Sequence, residues 1–86
     1  MVGAFAEQIA VPASTLVPMA PGVDFADAAA FGVTYRTAYY TLRTVAPIQP
    51  EDWVVVLGAA GGVGLAAVDI AVAMGAKVIA AASSPD

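Results

Sequence analysis

Cysteine and histidine are both absent from the 86 residues. Disulfides are therefore excluded. So are ordinary zinc sites and any Ser-His or Cys-His nucleophile pair within this chain. Positive charge is scarce: Arg36, Arg43 and Lys77 are the only cations, they form no cluster, and the net charge is -4. That balance argues against a nucleic-acid surface. Long apolar runs are missing too, because Gly, Pro, Asp and Arg interrupt every candidate before the roughly eighteen residues that a membrane span requires. The first seven residues, Met1 to Glu7, carry no basic segment. A signal peptide is not expected, and a reducing, cytoplasmic setting is the default expectation. The chain has no internal repeat, no low-complexity tract and no charged linker.

Hydrophobic residues make up 60% of the chain and charged ones 12%. Such a composition is too apolar for disorder. It is also unusually apolar for a free-standing small domain, which has much surface to cover. A partner is expected to cover the excess, either a second copy in a homo-oligomer or the missing remainder of a longer chain.

One stretch organises the rest: Trp53-Val54-Val55-Val56-Leu57-Gly58-Ala59-Ala60-Gly61-Gly62-Val63-Gly64-Leu65. An apolar run without alternation leads into a glycine-rich turn and then into an Ala-rich stretch with helical spacing. That is the pattern of a buried parallel strand passing through a tight turn into a helix. Gly61 and Gly64 hold the last two glycines of G-x-G-x-x-G, and Ala59 stands in for the first. Small residues there let the main chain approach a pyrophosphate, whose charge meets the free N–H groups and positive end of the following helix. A purely structural turn, with glycines that pack a helix on a strand, fits the same residues.

Gly3 to Val11 alternates loosely and predicts a strand that Pro12 ends. Pro18 and Pro21-Gly22 bracket a short extended piece around Leu16-Val17. Asp24 is an N-cap candidate, with Asp27 three residues on as an acidic capping partner. Gly32 is expected to break or bend that first helix. A second helical pattern from Thr34 to Val45 places Tyr35, Ala38, Tyr39, Leu42 and Val45 on one stripe. Pro47 and Pro50 close it. After the glycine turn, Val63, Ala66, Ala67, Ile70, Ala71 and Met74 share a helix face, and Gly75 suits a left-handed C-terminal position. Lys77 to Ala82 reads as a second apolar strand. The unit is β-turn-α-turn-β, with a crossover expected to be right-handed. Ser83-Ser84-Pro85-Asp86 then leaves the sheet at its carboxyl end.

These residues resemble the zinc-independent quinone oxidoreductases, the zeta-crystallin-like branch of the medium-chain dehydrogenase/reductase superfamily. The likeness runs through Gly3-Ala4-Phe5-Ala6-Glu7, Phe25-Ala26-Asp27-Ala28-Ala29-Ala30 and Thr34-Tyr35-Arg36-Thr37-Ala38-Tyr39-Tyr40. It continues through Ala59-Ala60-Gly61-Gly62-Val63-Gly64 and Gly75-Ala76-Lys77-Val78-Ile79-Ala80. It covers essentially the whole chain, which looks like a central fragment of such an enzyme. The resemblance implies an α/β fold: a partial Rossmann unit, the β-α-β opening of a doubly wound parallel sheet, preceded by the last strands of a GroES-like domain. Residues 1–23 would end the GroES-like substrate domain, and residues 24–86 would form the helical connection and the first β-α-β of the nucleotide-binding domain. In this family the helix after the glycine turn often carries Gln and then Lys, where this chain has Asp69 and Val72.

The resemblance also implies NADPH-dependent reduction of a quinone or an α,β-unsaturated carbonyl. Hydride transfer of that kind needs no protein nucleophile. The alternative is a nucleotide-binding or oligomerising fragment without catalytic activity. Ala60, Gly61, Gly62 and Val63 would offer amides to the cofactor's pyrophosphate. Ser83 and Ser84 lie where an NAD-binding chain usually places an acidic residue on the ribose diol, so hydroxyls there favour NADP(H). A simple Ser-Ser-Pro turn is the other reading. Thr34 matches the family position that approaches the nicotinamide end, and it also suits an N-cap. Tyr35, Tyr39 and Tyr40 suit either a quinone-stacking wall or helix packing. Arg36, Arg43 and Asp69 are expected on solvated faces. No catalytic side chain and no metal ligand is assigned.

Overall fold

A computed structural model describes residues 3–84. The chain runs through a 3-10 turn (Ala13–Thr15), helix α1 (Phe25–Tyr40), a π-type turn (Thr41–Val45), strand β1 (Trp53–Leu57), helix α2 (Gly62–Ala73) and strand β2 (Lys77–Ala81). The two strands pair in parallel, Trp53 opposite Lys77 through Leu57 opposite Ala81. Helix α2 forms the crossover between them and packs on both strands and on α1. This is the expected α/β arrangement.

Local chemistry explains the element ends. The Asp24 carboxylate accepts the Asp27 N–H at 2.8 Å, a side-chain cap for the first turn of α1. At the far end of α2, Gly75 sits at φ +84 and donates its N–H to the Val72 carbonyl, so the helix stops where the left-handed residue falls. The return to β2 is held by Lys77 N–H on the Asp52 carbonyl and Glu51 N–H on the Gly75 carbonyl. Glu51 itself has φ +73.

Four expectations are corrected. Gly32 neither breaks nor bends the helix, because α1 runs unbroken from Phe25 to Tyr40. One glycine in a helix costs only about 1 kcal/mol, which the flanking turns absorb. The predicted second helix ends as a π-type turn, with Ala46 N–H on the Thr41 carbonyl at 2.8 Å. No strand forms over Gly3–Val11. A strand needs a neighbour for its backbone groups, and this segment lies against no sheet edge. Finally, the run Trp53–Leu57 is covered on one face only: Val56 is buried, whereas Trp53, Val55 and Leu57 are exposed. Pro85 and Asp86, expected to lead away from the sheet, lie outside the described residues.

The core is small and built of small side chains: Ala38, Leu42, Val56, Ala59, Ala66 and Ala71. None of the three tyrosines joins it: Tyr39 and Tyr40 are 51% and 59% exposed, and Tyr35 is half-buried. The chain exposes 6844 Å², whereas a compact monomer of this mass exposes about 4,700 Å². Its radius of gyration of 15.5 Å likewise exceeds the roughly 12 Å of a compact globule of this length. Among the described residues, no helix is long and apolar enough to cross a membrane.

Candidate functional site

The parallel register brings the carboxyl ends of both strands to one edge. There the Ala59 N–H donates to the Ala81 carbonyl at 3.0 Å, tying the glycine turn to the end of β2. The chain reverses at Gly58, which has φ +67. The left-handed position therefore falls on Gly58, one residue before Ala59, the position read as the first of the three glycines. Ala59 is buried instead. A glycine directly after an apolar strand was the available signal for this turn.

Each remaining glycine has its own geometry. A Cβ on Gly64 would overlap the Gly58 carbonyl oxygen and stand 2.9 Å from the Ala59 Cα, so only glycine lets α2 pack this close to the turn. A Cβ on Gly62 would stand 3.2 Å from the Thr34 Cγ2. A Cβ on Gly61 would meet ordinary contact only, 3.5 Å from the Gly58 carbonyl oxygen.

The amides divide accordingly. Gly61 donates its N–H to the Gly58 carbonyl at 3.0 Å, and Leu65 donates to the Gly61 carbonyl at 2.8 Å. Among the described residues, no protein acceptor takes the N–H of Ala60, Gly62 or Val63. All three residues are exposed. The Gly62 and Val63 amides open the first turn of α2, where unpaired N–H groups and the helix dipole favour an anion, and Ala60 lies in the turn just before its N-cap Gly61. Gly61, the fourth residue expected to present an amide, has its N–H already engaged.

Thr34 lies inside α1 and not at a helix start, so it caps nothing. Its hydroxyl donates to the Ala30 carbonyl at 3.2 Å, and its methyl abuts Gly62. Ser83 and Ser84 are exposed, just past β2 on the same carboxyl edge as the glycine turn. The helix face therefore brings Thr34 to the turn, and the sheet register brings Ser83 and Ser84 to its side.

Asp69 is exposed as expected, but it is not merely solvated. Its Oδ2 accepts the Tyr35 hydroxyl at 2.8 Å. The Tyr35 ring stacks on Phe31, centroids 4.4 Å apart and planes 12° from parallel. The Tyr35 phenol is held above its ordinary value. The hydrogen bond to Asp69 retains the proton, and partial burial and the nearby carboxylate charge disfavour the phenolate further. Nothing local in the sequence pointed to this pair, whose members stand 34 residues apart.

Tyr35 and Tyr39 also line an open groove of about 940 Å³ between residues 17–23 and α1, with Met19, Phe31 and Ile70. Tyr40 does not line it. Arg43 reaches over the Tyr39 ring, 5.7 Å from its centroid. Arg36 lines the same groove and is exposed. The groove does not include the glycine turn. Among the described residues, no group of His, Cys, Asp and Glu side chains has the arrangement to hold a metal ion.

No family model matches the chain. It is 42% identical over 80 residues to a quinone oxidoreductase-like protein 2 homolog of Nematostella vectensis, covering 92% of this chain and 22% of that protein. It superimposes on the quinone oxidoreductase of Thermus thermophilus, crystallised also in complex with NADPH, with a TM-score of 0.86 and 48% identity. That match covers 93% of this chain and 27% of the other. The CurK enoyl reductase superimposes with a TM-score of 0.75 and 45% identity, over 80% of this chain and 20% of that one. The chain thus spans about a quarter of the length of these three proteins. Its homologues and structural neighbours include quinone oxidoreductases, of which it covers a fragment, together with enoyl reductases, and the resemblance read from its sequence holds.

Proposed function

We propose that this chain, a segment of the quinone oxidoreductase fold, supplies the pyrophosphate-binding turn and one wall of the nicotinamide pocket of an NADPH-dependent oxidoreductase. One observation carries the reading: the exposed residues Ala60, Gly62 and Val63 carry N–H groups with no protein acceptor, in the turn and at the start of α2, on the carboxyl edge of a parallel β-α-β unit. In open α/β sheets ligands sit at that edge. The cradle fits a diphosphate, since Gly62 has no side chain to fill it and Gly64 sets α2 tight against Gly58.

Within that site Ala60, Gly62 and Val63 bind and orient the phosphates through their N–H groups. Thr34 borders the turn on the α1 side and faces the nicotinamide end. Ser83 and Ser84 donate hydroxyls toward a 2′-phosphate and place no carboxylate against it, which favours NADP(H) over NAD(H). The Thermus enzyme that the chain resembles has been crystallised with NADPH, in line with this choice. The cofactor supplies the hydride when bound, and the protein supplies position and electrostatics. The acceptor is a small quinone or an α,β-unsaturated carbonyl, the latter suggested by the likeness to an enoyl reductase.

A second reading has its own support. The bare face of the sheet and the large exposed surface suit a nucleotide-binding piece that is completed by a second copy or by further chain, and that turns nothing over alone. Two measurements on the purified chain separate these. Resonance shifts of the Ala60, Gly62 and Val63 amides with NADPH and 2′-phospho-AMP, weaker with NADH, are expected under both readings. NADPH oxidation with a simple quinone is expected only under the first. If neither nucleotide perturbs those amides, the phosphate site is wrong.

A further inference from the structure

Among the described residues, Tyr35 to Asp69 is the single side chain-to-side chain hydrogen bond, and it joins residues 34 apart in the chain. Every other side-chain hydrogen bond joins residues three or four apart. No cation lies within ion-pair distance of Asp69, because the one ion pair among these residues is Lys77 with Glu51. The phenol is therefore the partner the protein gives this carboxylate, in a charge-assisted bond of the stronger class. Phe31 stacks on the Tyr35 ring.

The placement of the pair gives it a consequence. Asp69 follows Gly62 by roughly two helical turns, so both lie on one face of α2. Tyr35 follows Thr34, whose methyl abuts Gly62. Helix α1 therefore touches that face of α2 at two levels, beside the phosphate turn and again two turns further along. Helix α2 also packs on both strands, and two contacts to α1 along one face add a constraint on its rotation and axial position. We propose that Tyr35 and Asp69 are positioning residues: their hydrogen bond sets the rotation of α2 against α1, and so the direction in which the Gly62 and Val63 amides point. The inference rests on the reading of the glycine turn as a phosphate site.

The test compares the unaltered chain with Tyr35→Phe, Asp69→Ala and Asp69→Asn by amide hydrogen exchange and by titration with 2′-phospho-AMP. The Leu65 amide, bonded to the Gly61 carbonyl, reports on the start of α2. The Ala59 and Lys77 amides, bonded to Ala81 and Asp52, report on the sheet. Tyr35→Phe and Asp69→Ala are expected to speed exchange at Leu65 about fivefold, the effect of one hydrogen bond, and to leave Ala59 and Lys77 unchanged. Asp69→Asn keeps an acceptor and is expected to stay within about twofold of the unaltered chain. Affinity for 2′-phospho-AMP is expected to fall in the first two variants only. Equal acceleration at all three amides, or none at any, overturns the positioning role. Failure of the unaltered chain to bind 2′-phospho-AMP sinks the phosphate reading instead, while the exchange pattern still decides whether the pair orients α2.

Discussion

The carbonyl oxygen of Gly58 occupies the space that a side chain on Gly64 would need. Strand end and helix start are in main-chain contact there, and neither neighbour is the free end of a flexible side chain. Gly64→Ala is therefore expected to destabilise the chain by about 2 kcal/mol, in the range of overpacked cores. The measurement is the urea midpoint at constant slope. A shift of under about 0.5 kcal/mol, in the range of ordinary surface substitutions, would show that the turn has room to move.

Gly62 presents a softer limit. A Cβ there would press on the Thr34 methyl at 3.2 Å, and that methyl can be removed. Gly62→Ala is expected to weaken 2′-phospho-AMP binding, and Thr34→Ala on top of it to restore a substantial part. The cycle of four proteins, titrated calorimetrically, reads the coupling directly. Strictly additive effects would mean that Thr34 and Gly62 do not meet.

Gly32 gives the opposite sign. It lies within α1, and a Cβ there would meet nothing from the rest of the chain within 4 Å. Gly32→Ala is expected to stabilise by about 0.5–1 kcal/mol through helix propensity and reduced freedom of the unfolded chain. Thermal unfolding by circular dichroism checks it, and a lower midpoint would show that the helix needs glycine there.

Glu51 holds φ +73 in the turn before β1 and makes an exposed ion pair to Lys77 at 3.1 Å. The backbone strain is worth about 1–2 kcal/mol, the surface pair at most about 1 kcal/mol. Glu51→Gly is expected to raise the unfolding midpoint modestly, while a drop would mean that the ion pair outweighs the strain.

The raised Tyr35 phenol makes stability depend on alkaline pH. A group whose folded value lies above its unfolded one stabilises fully below the unfolded value, near 10. That contribution fades as pH rises through the folded value. The fall in urea midpoint between about pH 9 and pH 11.5 is therefore expected to be steeper in the unaltered chain than in Tyr35→Phe. Equal slopes would remove Tyr35 from the account.

What the sequence disclosed was what neighbours along the chain decide. Asp24 with Asp27, and Gly75 after the last helical turn, act within four residues, so both ends were legible. The strand-turn-helix over residues 53–65 was legible for the same reason. Gly32 misled because glycine signals a break only when nothing else favours the helix. The apolar alternation of Gly3–Val11 misled because a strand depends on an edge elsewhere. Tyr35 and Asp69 meet across 34 residues, and no local pattern announces a contact of that span. The run Trp53–Leu57 predicted burial on both faces, and only the face under α2 receives it.

That one-sided cover gives the protein a built-in optical reporter. Its single tryptophan, Trp53, stands 68% exposed at the amino end of β1, with the Lys77 ammonium 5.6 Å from its ring centroid. Leu57, where the strand meets the glycine turn, is about 13 Å away along the strand. Emission from Trp53 therefore shifts to the blue when something shields the open side of the sheet, and stays put when a nucleotide settles at the opposite end. Fluorescence colour thus distinguishes assembly from ligand binding without any label.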